Sequence, residues 1–82
     1  MGAGMIPTMD FVVVIHSADE GGYWAEVPSL EGCFAQGETV EDTLDDVRSA
    51  IASYLEALRA DGQPLPDAQS VIIGTVTVSP AA

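Results

Sequence analysis

The longest regular pattern in this 82-residue sequence is one stretch of helical periodicity over residues 40–61. Its apolar side chains recur three or four positions apart, which places them on one face of an α-helix. They are Val40, Leu44, Val47, Ile51, Leu55 and Leu58. Thr39 before the stretch is a favourable N-cap, and Gly62 after it is a favourable terminating residue. A helix with one apolar face must pack on a surface that the remaining segments supply.

Short segments rich in β-branched residues surround this helix and are typical of strands. They cover residues 10–16, 23–27 and 33–36 before the helix and residues 71–78 after it. The first has apolar residues on both faces, which indicates a strand in the centre of a sheet. The order predicts an α+β fold with β-β-β-α-β connectivity, in which the helix covers one face of a four-stranded sheet.

The length of the chain permits a single domain. We expect the domain to span residues 9–79, with residues 1–8 as a disordered leader or an expression-vector remnant and residues 80–82 as a tail. One helix leaves the second face of the sheet without cover, although that face also carries apolar residues. Uncovered apolar surface usually marks an interface, so a homo-oligomer is expected, either a dimer or a tetramer. Alternatively, the leader or residues 63–70 fold over that face.

The charge balance limits the partners of this chain. It has 13 acidic residues, two arginines and no lysine, for a formal net charge of -11. Direct binding to nucleic acid or to an anionic membrane is therefore not expected, because both need cationic side chains. A basic protein would be attracted, although acidity can also serve solubility alone. No apolar run is long enough to span a membrane and no secretory signal is visible, so we expect a cytoplasmic location.

Catalytic chemistry finds little support in the sequence. The acids at the helix start, Glu41, Asp42, Asp45 and Asp46, are expected there because the helix dipole favours them. Asp10 and Glu26 could imitate part of a two-metal nuclease site, but no further ligand set is evident. His16 has no neighbouring nucleophile motif, so we expect it to face solvent at the end of a strand. Cys33 is the only cysteine. We therefore predict no catalytic residue, no metal and no cofactor.

The segment over residues 22–58 carries an ordered set of motifs. A Gly-Tyr pair, an alternating Ala and acid, a Pro, a Gly-Cys pair and a Gly before Thr precede the acids that open the helix. The matching residues are Gly22, Tyr23, Ala25, Pro28, Leu30, Gly32, Cys33, Gly37, Thr39, Glu41 and Asp42. In this order the segment resembles the HicB-like antitoxin family, and the resemblance extends over residues 9–78.

The resemblance implies a partial, or truncated, ribonuclease H-like fold and a role in a toxin–antitoxin pair. Members of this family bind and neutralise a small basic RNA-cleaving toxin, which is HicA-like. An acidic inhibitor suits such a toxin, because its carboxylates can occupy the place of RNA phosphates. Many members also carry a C-terminal DNA-binding segment, which this sequence lacks, so autorepression by this chain alone is not expected.

The strand hairpins offer candidates for the partner-binding residues. Tyr23 and Trp24 point to opposite faces of one strand, and an exposed aromatic side chain beside acids can anchor a basic partner. The residues that we predict to face the partner are Tyr23, Trp24, Glu26, Glu31 and Phe34. Two alternatives stay open: a stand-alone oligomeric binding or scaffolding module without a toxin, and a metal-dependent nuclease with a degenerate ribonuclease H-like site.

Overall fold

The computed structural model describes residues 8–67 and 71–81 of the chain. Its regular elements are strand β1 (Val14–Ser17), strand β2 (Tyr23–Glu26), strand β3 (Phe34–Gly37) and helix α1 (Val40–Ala60). The predicted α+β class is confirmed, with three strands followed by one long helix. The predicted leader lies outside the described residues, except for Thr8.

The three strands form one antiparallel sheet in the order β1-β2-β3. The β1–β2 turn contains Gly21 and Gly22, which have φ angles of 98° and 77° that favour glycine over other residues. Pro28 follows β2 closely, because proline cannot donate to the sheet ladder. The order places β1 at an edge, so the prediction of a central first strand is wrong for the single chain.

Local sequence signals set both ends of α1. The Thr39 hydroxyl accepts a hydrogen bond from the Asp42 backbone N–H at 3.0 Å. At the other end, the Gln63 N–H donates to Leu58 O at 2.9 Å and the Gly62 N–H donates to the Arg59 carbonyl at 3.1 Å. This pair of bonds is a Schellman motif, with Gly62 at a φ of 71°. Among the described residues, no helix has the length and apolar character needed to cross a bilayer.

A small core lies between the sheet and α1. Its buried apolar residues are Ala25, Val27, Leu30, Cys33, Ala35 and Val47. Partly buried side chains pack around them: Phe11, Val13, Ile15, Ala50, Ile51 and Tyr54. The helix approaches β3 most closely at Gly37, where a Cβ atom would lie 2.6 Å from the backbone N of Thr43. Thr43 is fully buried, and its hydroxyl donates to the Thr39 carbonyl at 2.7 Å.

The predicted fourth strand does not form in the single chain. Residues 71–78 belong to neither helix nor sheet, and none of the backbone hydrogen bonds between described residues involves them. Their apolar side chains are exposed, with Ile72 at 93% and Val76 at 87%. The sheet therefore has three strands and not four. β-Branched composition favours extended backbone, but a strand also needs a neighbour to accept its hydrogen bonds.

Candidate functional site

The strand alternation creates a second sheet face, opposite α1, which we call the outer face. Its side chains come from paired positions on all three strands, as the register shows. One row contains His16, Trp24 and Gln36, and the next contains Val14, Glu26 and Phe34. The intervening residues of β2 and β3, such as Ala25 and Ala35, point to the core and are buried.

Aromatic side chains dominate the outer face. Trp24 is 38% exposed and Phe34 is 58% exposed, and their rings lie 6.3 Å apart at an angle of 52°. The imidazole of His16 stacks on the indole of Trp24, with ring centroids 4.1 Å apart and planes 15° apart. Such contacts hold the indole in one orientation while it is still accessible. A rigid, partly exposed tryptophan is the kind of side chain that anchors protein interfaces.

A polar contact fixes the other side of the imidazole. Nε2 of His16 lies 2.7 Å from Oε2 of Glu26, and both side chains are 38% exposed. The two residues are diagonal neighbours across β1 and β2, because Trp24 is the direct partner of His16. Glu26 is thereby held beside the aromatic cluster, with its carboxylate open to solvent on one side.

Two hollows on either side of Trp24 carry acidic groups. One, of about 360 Å³, lies between Phe34, Gln36 and Asp46, and Oδ2 of Asp46 accepts the Gln36 backbone N–H at 3.0 Å. The second, of about 840 Å³, lies at the β1–β2 turn and is lined on its acidic side by Asp19, Glu20 and Glu38. Neither hollow has a lysine or arginine in its lining. The arrangement suits a ligand with cationic groups around an apolar centre.

The structure groups three of the five predicted partner-binding residues. Trp24, Glu26 and Phe34 share the outer face. Tyr23 is half-buried and lines the larger hollow at the turn end of β2. Glu31 is exposed in the turn between β2 and β3, away from the outer face.

His16 contributes to the outer face but was predicted only as a solvent-facing residue at a strand end. A signal for it exists in the sequence. The Gly21-Gly22 turn fixes the hairpin register, and that register places His16 opposite Trp24.

The shifted pKa values among the described residues occur in the core and on the helix. Burial raises the pKa of the Cys33 thiol, which disfavours the reactive thiolate. A hydrogen bond from Arg59 lowers the pKa of Glu56, but this pair lies exposed on one helix face. Within residues 8–67 and 71–81, no group of three or more His, Cys, Asp or Glu side chains is placed to hold a metal ion.

The structure defines a small acidic α+β domain whose open sheet face presents aromatic side chains among carboxylates. Sequence comparison identifies the family of this domain. The family described as the HicB_like antitoxin of bacterial toxin-antitoxin system matches residues 11–79, and the chain belongs to this family.

Curated relatives agree with this family membership. A UPF0150 protein of Synechocystis sp. is 41% identical over 64 residues, covering 78% of this chain and 88% of the relative. A UPF0150 protein of Thermoplasma acidophilum is 36% identical and covers 71% and 84%. A third, from Helicobacter pylori, is 36% identical and covers 74% and 85%.

Proposed function

We propose that this chain is a cytoplasmic antitoxin, without catalytic activity of its own, that binds and neutralises a small basic RNA-cleaving toxin of the HicA-like kind. Family membership supports the antitoxin role. The net charge of -11 supports a basic partner, because opposite charges accelerate encounter and favour the correct orientation. The β-β-β-α order is compatible with the truncated ribonuclease H-like fold that the resemblance implies.

The observation that carries this proposal is the exposed Trp24–Phe34 pair, beside which neither hollow is lined by a lysine or an arginine. In the complex, these two rings would bury against an apolar patch of the toxin. Glu26, held in place by His16, would lie beside that patch and pair with a cationic side chain. Groups that bind RNA phosphates would then be occupied by carboxylates, so the toxin would lose access to its substrate.

Tyr23 and Glu31 were also predicted to face the partner but lie outside the outer face, so we propose a smaller contribution to binding for them. Tyr23 lines the acidic hollow next to Trp24, so it would contact the partner only at the rim. Glu31 is exposed in the neighbouring turn and would act through long-range attraction. Rim charges mainly change association rates and their dependence on salt. We also propose that the chain acts as a homo-oligomer.

An inhibition assay tests the outer face directly. The small basic protein encoded next to this gene would be purified, and its cleavage of a labelled RNA measured with increasing amounts of the antitoxin chain. The variant Trp24→Ala/Phe34→Ala should raise the inhibitory concentration by roughly 30-fold or more, as for interface hot spots. Leu65→Ala is the matched control, because Leu65 is 54% exposed but lies beyond the helix. Circular dichroism would verify that each variant is folded.

Each result has a definite meaning. Equal inhibition by the folded double variant and the wild type would remove the outer face from the interface. If no small basic protein is encoded nearby and none binds, the stand-alone oligomeric module becomes the better function. The exposed apolar segment over residues 71–78 is the observation that favours this second candidate.

A further inference from the structure

Residues 71–78, which we call the C-terminal segment, have the sequence pattern of a strand that lacks its neighbour. Alternate positions place Ile72, Val76 and Val78 on one face, and these are exposed to 93%, 87% and 75%. Thr75 and Thr77 fall on the opposite face together with Val71 and Ile73, so apolar and polar residues alternate over residues 75–78. Apolar and polar residues that alternate in this way are typical of a strand with one face packed on a core.

A complementary surface lies at the free edge of β1. There, a groove of about 560 Å³ separates the start of the first strand segment from α1. We call it the β1–α1 groove, and its apolar lining includes Met9, Phe11, Val13, Leu44, Ile51 and Leu55. Met9 and Leu44 are each 38% exposed, so the groove is open to solvent.

The edge beside this groove has unused hydrogen-bonding capacity. β1 is the outermost strand, so its backbone groups on the side away from β2 have no strand partner. Residues 11–13 continue its apolar pattern but lie outside the ladder, because β2 ends before Pro28. An added strand at this edge would pair with the β1 backbone. It would also place every second side chain over the β1–α1 groove.

We propose that the C-terminal segment of one copy adds to the β1 edge of a second copy, with Ile72, Val76 and Val78 seated in the β1–α1 groove, and that the exchange is reciprocal. Each copy then supplies both a strand and a receiving edge. The contact is thus the same on both sides of a two-fold axis. This inference is independent of toxin binding.

The buried area agrees with a stable dimer. Full burial of a valine or isoleucine side chain removes roughly 60–120 Å² of apolar surface from water. The three side chains that face the groove give roughly 180–360 Å² for each segment. Two segments and the grooves that receive them therefore bury roughly 700–1,400 Å² of apolar surface, which reaches the range of specific protein interfaces.

The distribution of charge also favours binding of a second copy of this chain at the β1–α1 groove. Two chains of net charge -11 repel each other over most of their surfaces. The C-terminal segment is the exception, because residues 71–79 carry no charged side chain. The groove lining contains one acidic and one basic residue, Asp10 and Arg48, so it carries no net charge. Association through this segment therefore brings together the part of each copy with the least repulsion.

Sedimentation equilibrium of the full-length chain tests the proposal. The wild type should be a dimer at micromolar concentration, and Ile72→Asp/Val76→Asp should raise the dimer Kd by roughly 30-fold or more. The matched control is Thr75→Asp/Thr77→Asp, which adds the same charge to the other face and should leave the dimer largely intact. The helical circular dichroism signal of the Ile72→Asp/Val76→Asp variant should be unchanged, because α1 forms without the segment in the single chain.

Two further variants test the receiving surface. Leu44→Asp should dissociate the dimer as the segment variant does. Val40→Asp should not, because Val40 is 42% exposed but does not line the groove. In a Cys33→Ser background, Leu44→Cys and Val76→Cys on two differently sized tagged chains should form a mixed disulfide dimer under mild oxidation.

Three results would overturn the inference. A wild-type chain that is monomeric at these concentrations excludes the exchange. A dimer that survives both Ile72→Asp/Val76→Asp and Leu44→Asp uses another interface. A single chain that carries both Leu44→Cys and Val76→Cys in the same Cys33→Ser background provides the third test: if it forms its disulfide within one copy and stays monomeric, the segment docks on its own groove and not on a second copy.

Discussion

Gly37 controls how closely α1 packs against β3. A Cβ atom at this position would lie 2.6 Å from the Thr43 backbone N, 2.8 Å from Thr43 Oγ1 and 2.9 Å from the Asp42 backbone C. Two of these three atoms belong to the backbone, so side-chain rotation cannot relieve the contact. Gly37→Ala must therefore push the first turn of α1 away from the sheet. Overpacking of this kind costs about 1–3 kcal/mol of the free energy of unfolding.

For a domain of this size, such a loss lowers Tm by roughly 4–24 °C. Thermal unfolding followed by circular dichroism at a fixed chain concentration would measure it, since association also shifts Tm. Gly74→Ala is the matched control, because a Cβ atom there meets nothing within 4 Å in the single chain. Both substitutions are compared in the Ile72→Asp/Val76→Asp background, so that the proposed association through the segment does not contribute to Tm. Adding Thr43→Ala should not rescue Gly37→Ala, since the Thr43 backbone N remains in place. A Tm for Gly37→Ala equal to that of Gly74→Ala would refute this account of the packing.

Three further outcomes are expected at separate positions. Thr39→Ala removes the acceptor for the Asp42 N–H and should lower the free energy of unfolding in urea by about 1 kcal/mol, whereas Thr39→Ser should retain most of it. Cys33 is buried with a raised thiol pKa, so iodoacetamide at pH 8 should label the native chain slowly and the urea-unfolded chain fast; rapid native labelling would contradict its burial. Arg59→Gln should raise the pKa of Glu56 toward its ordinary value in an NMR titration, because Arg59 lowers it by hydrogen bonding. Any stabilisation of the fold by this exposed pair is present above the ordinary pKa of Glu56 and is lost as pH falls through its lowered pKa. A Glu56 titration that is the same in Arg59→Gln and in the wild type would disprove the pairing.

The elements governed by local rules could be predicted from the sequence. Thr39 and Gly62 mark the two ends of α1 because caps depend only on nearby residues. The Gly21-Gly22 pair marks the first hairpin for the same reason. Strand boundaries shifted by up to four residues, since β1 begins at Val14 and not at Asp10. Pairing with β2 determines that boundary, and the pairing depends on residues far along the chain.

The features that sequence reasoning missed depend on contacts between distant residues. The β-branched run at residues 71–78 has the composition of a strand and was predicted to be one. No described residue pairs with it in the single chain, so the strand does not form. His16 was assigned no role, because its contacts with Trp24 and Glu26 appear only after the strands are aligned. Trp24, Glu26 and Phe34 were predicted because they flank the loops of the strand hairpins, and the strand register brings them onto one face.

The strand order has a consequence for the order of folding and association. Each strand pairs with the next one along the chain, and α1 packs on the strands just before it. Contacts between nearby segments form quickly, because little chain entropy is lost in closing them. The body of the protein, residues 14–60, can therefore fold without the C-terminal segment. Folding is then a first-order event that each chain completes alone, whereas any use of the C-terminal segment is a later step whose rate depends on chain concentration.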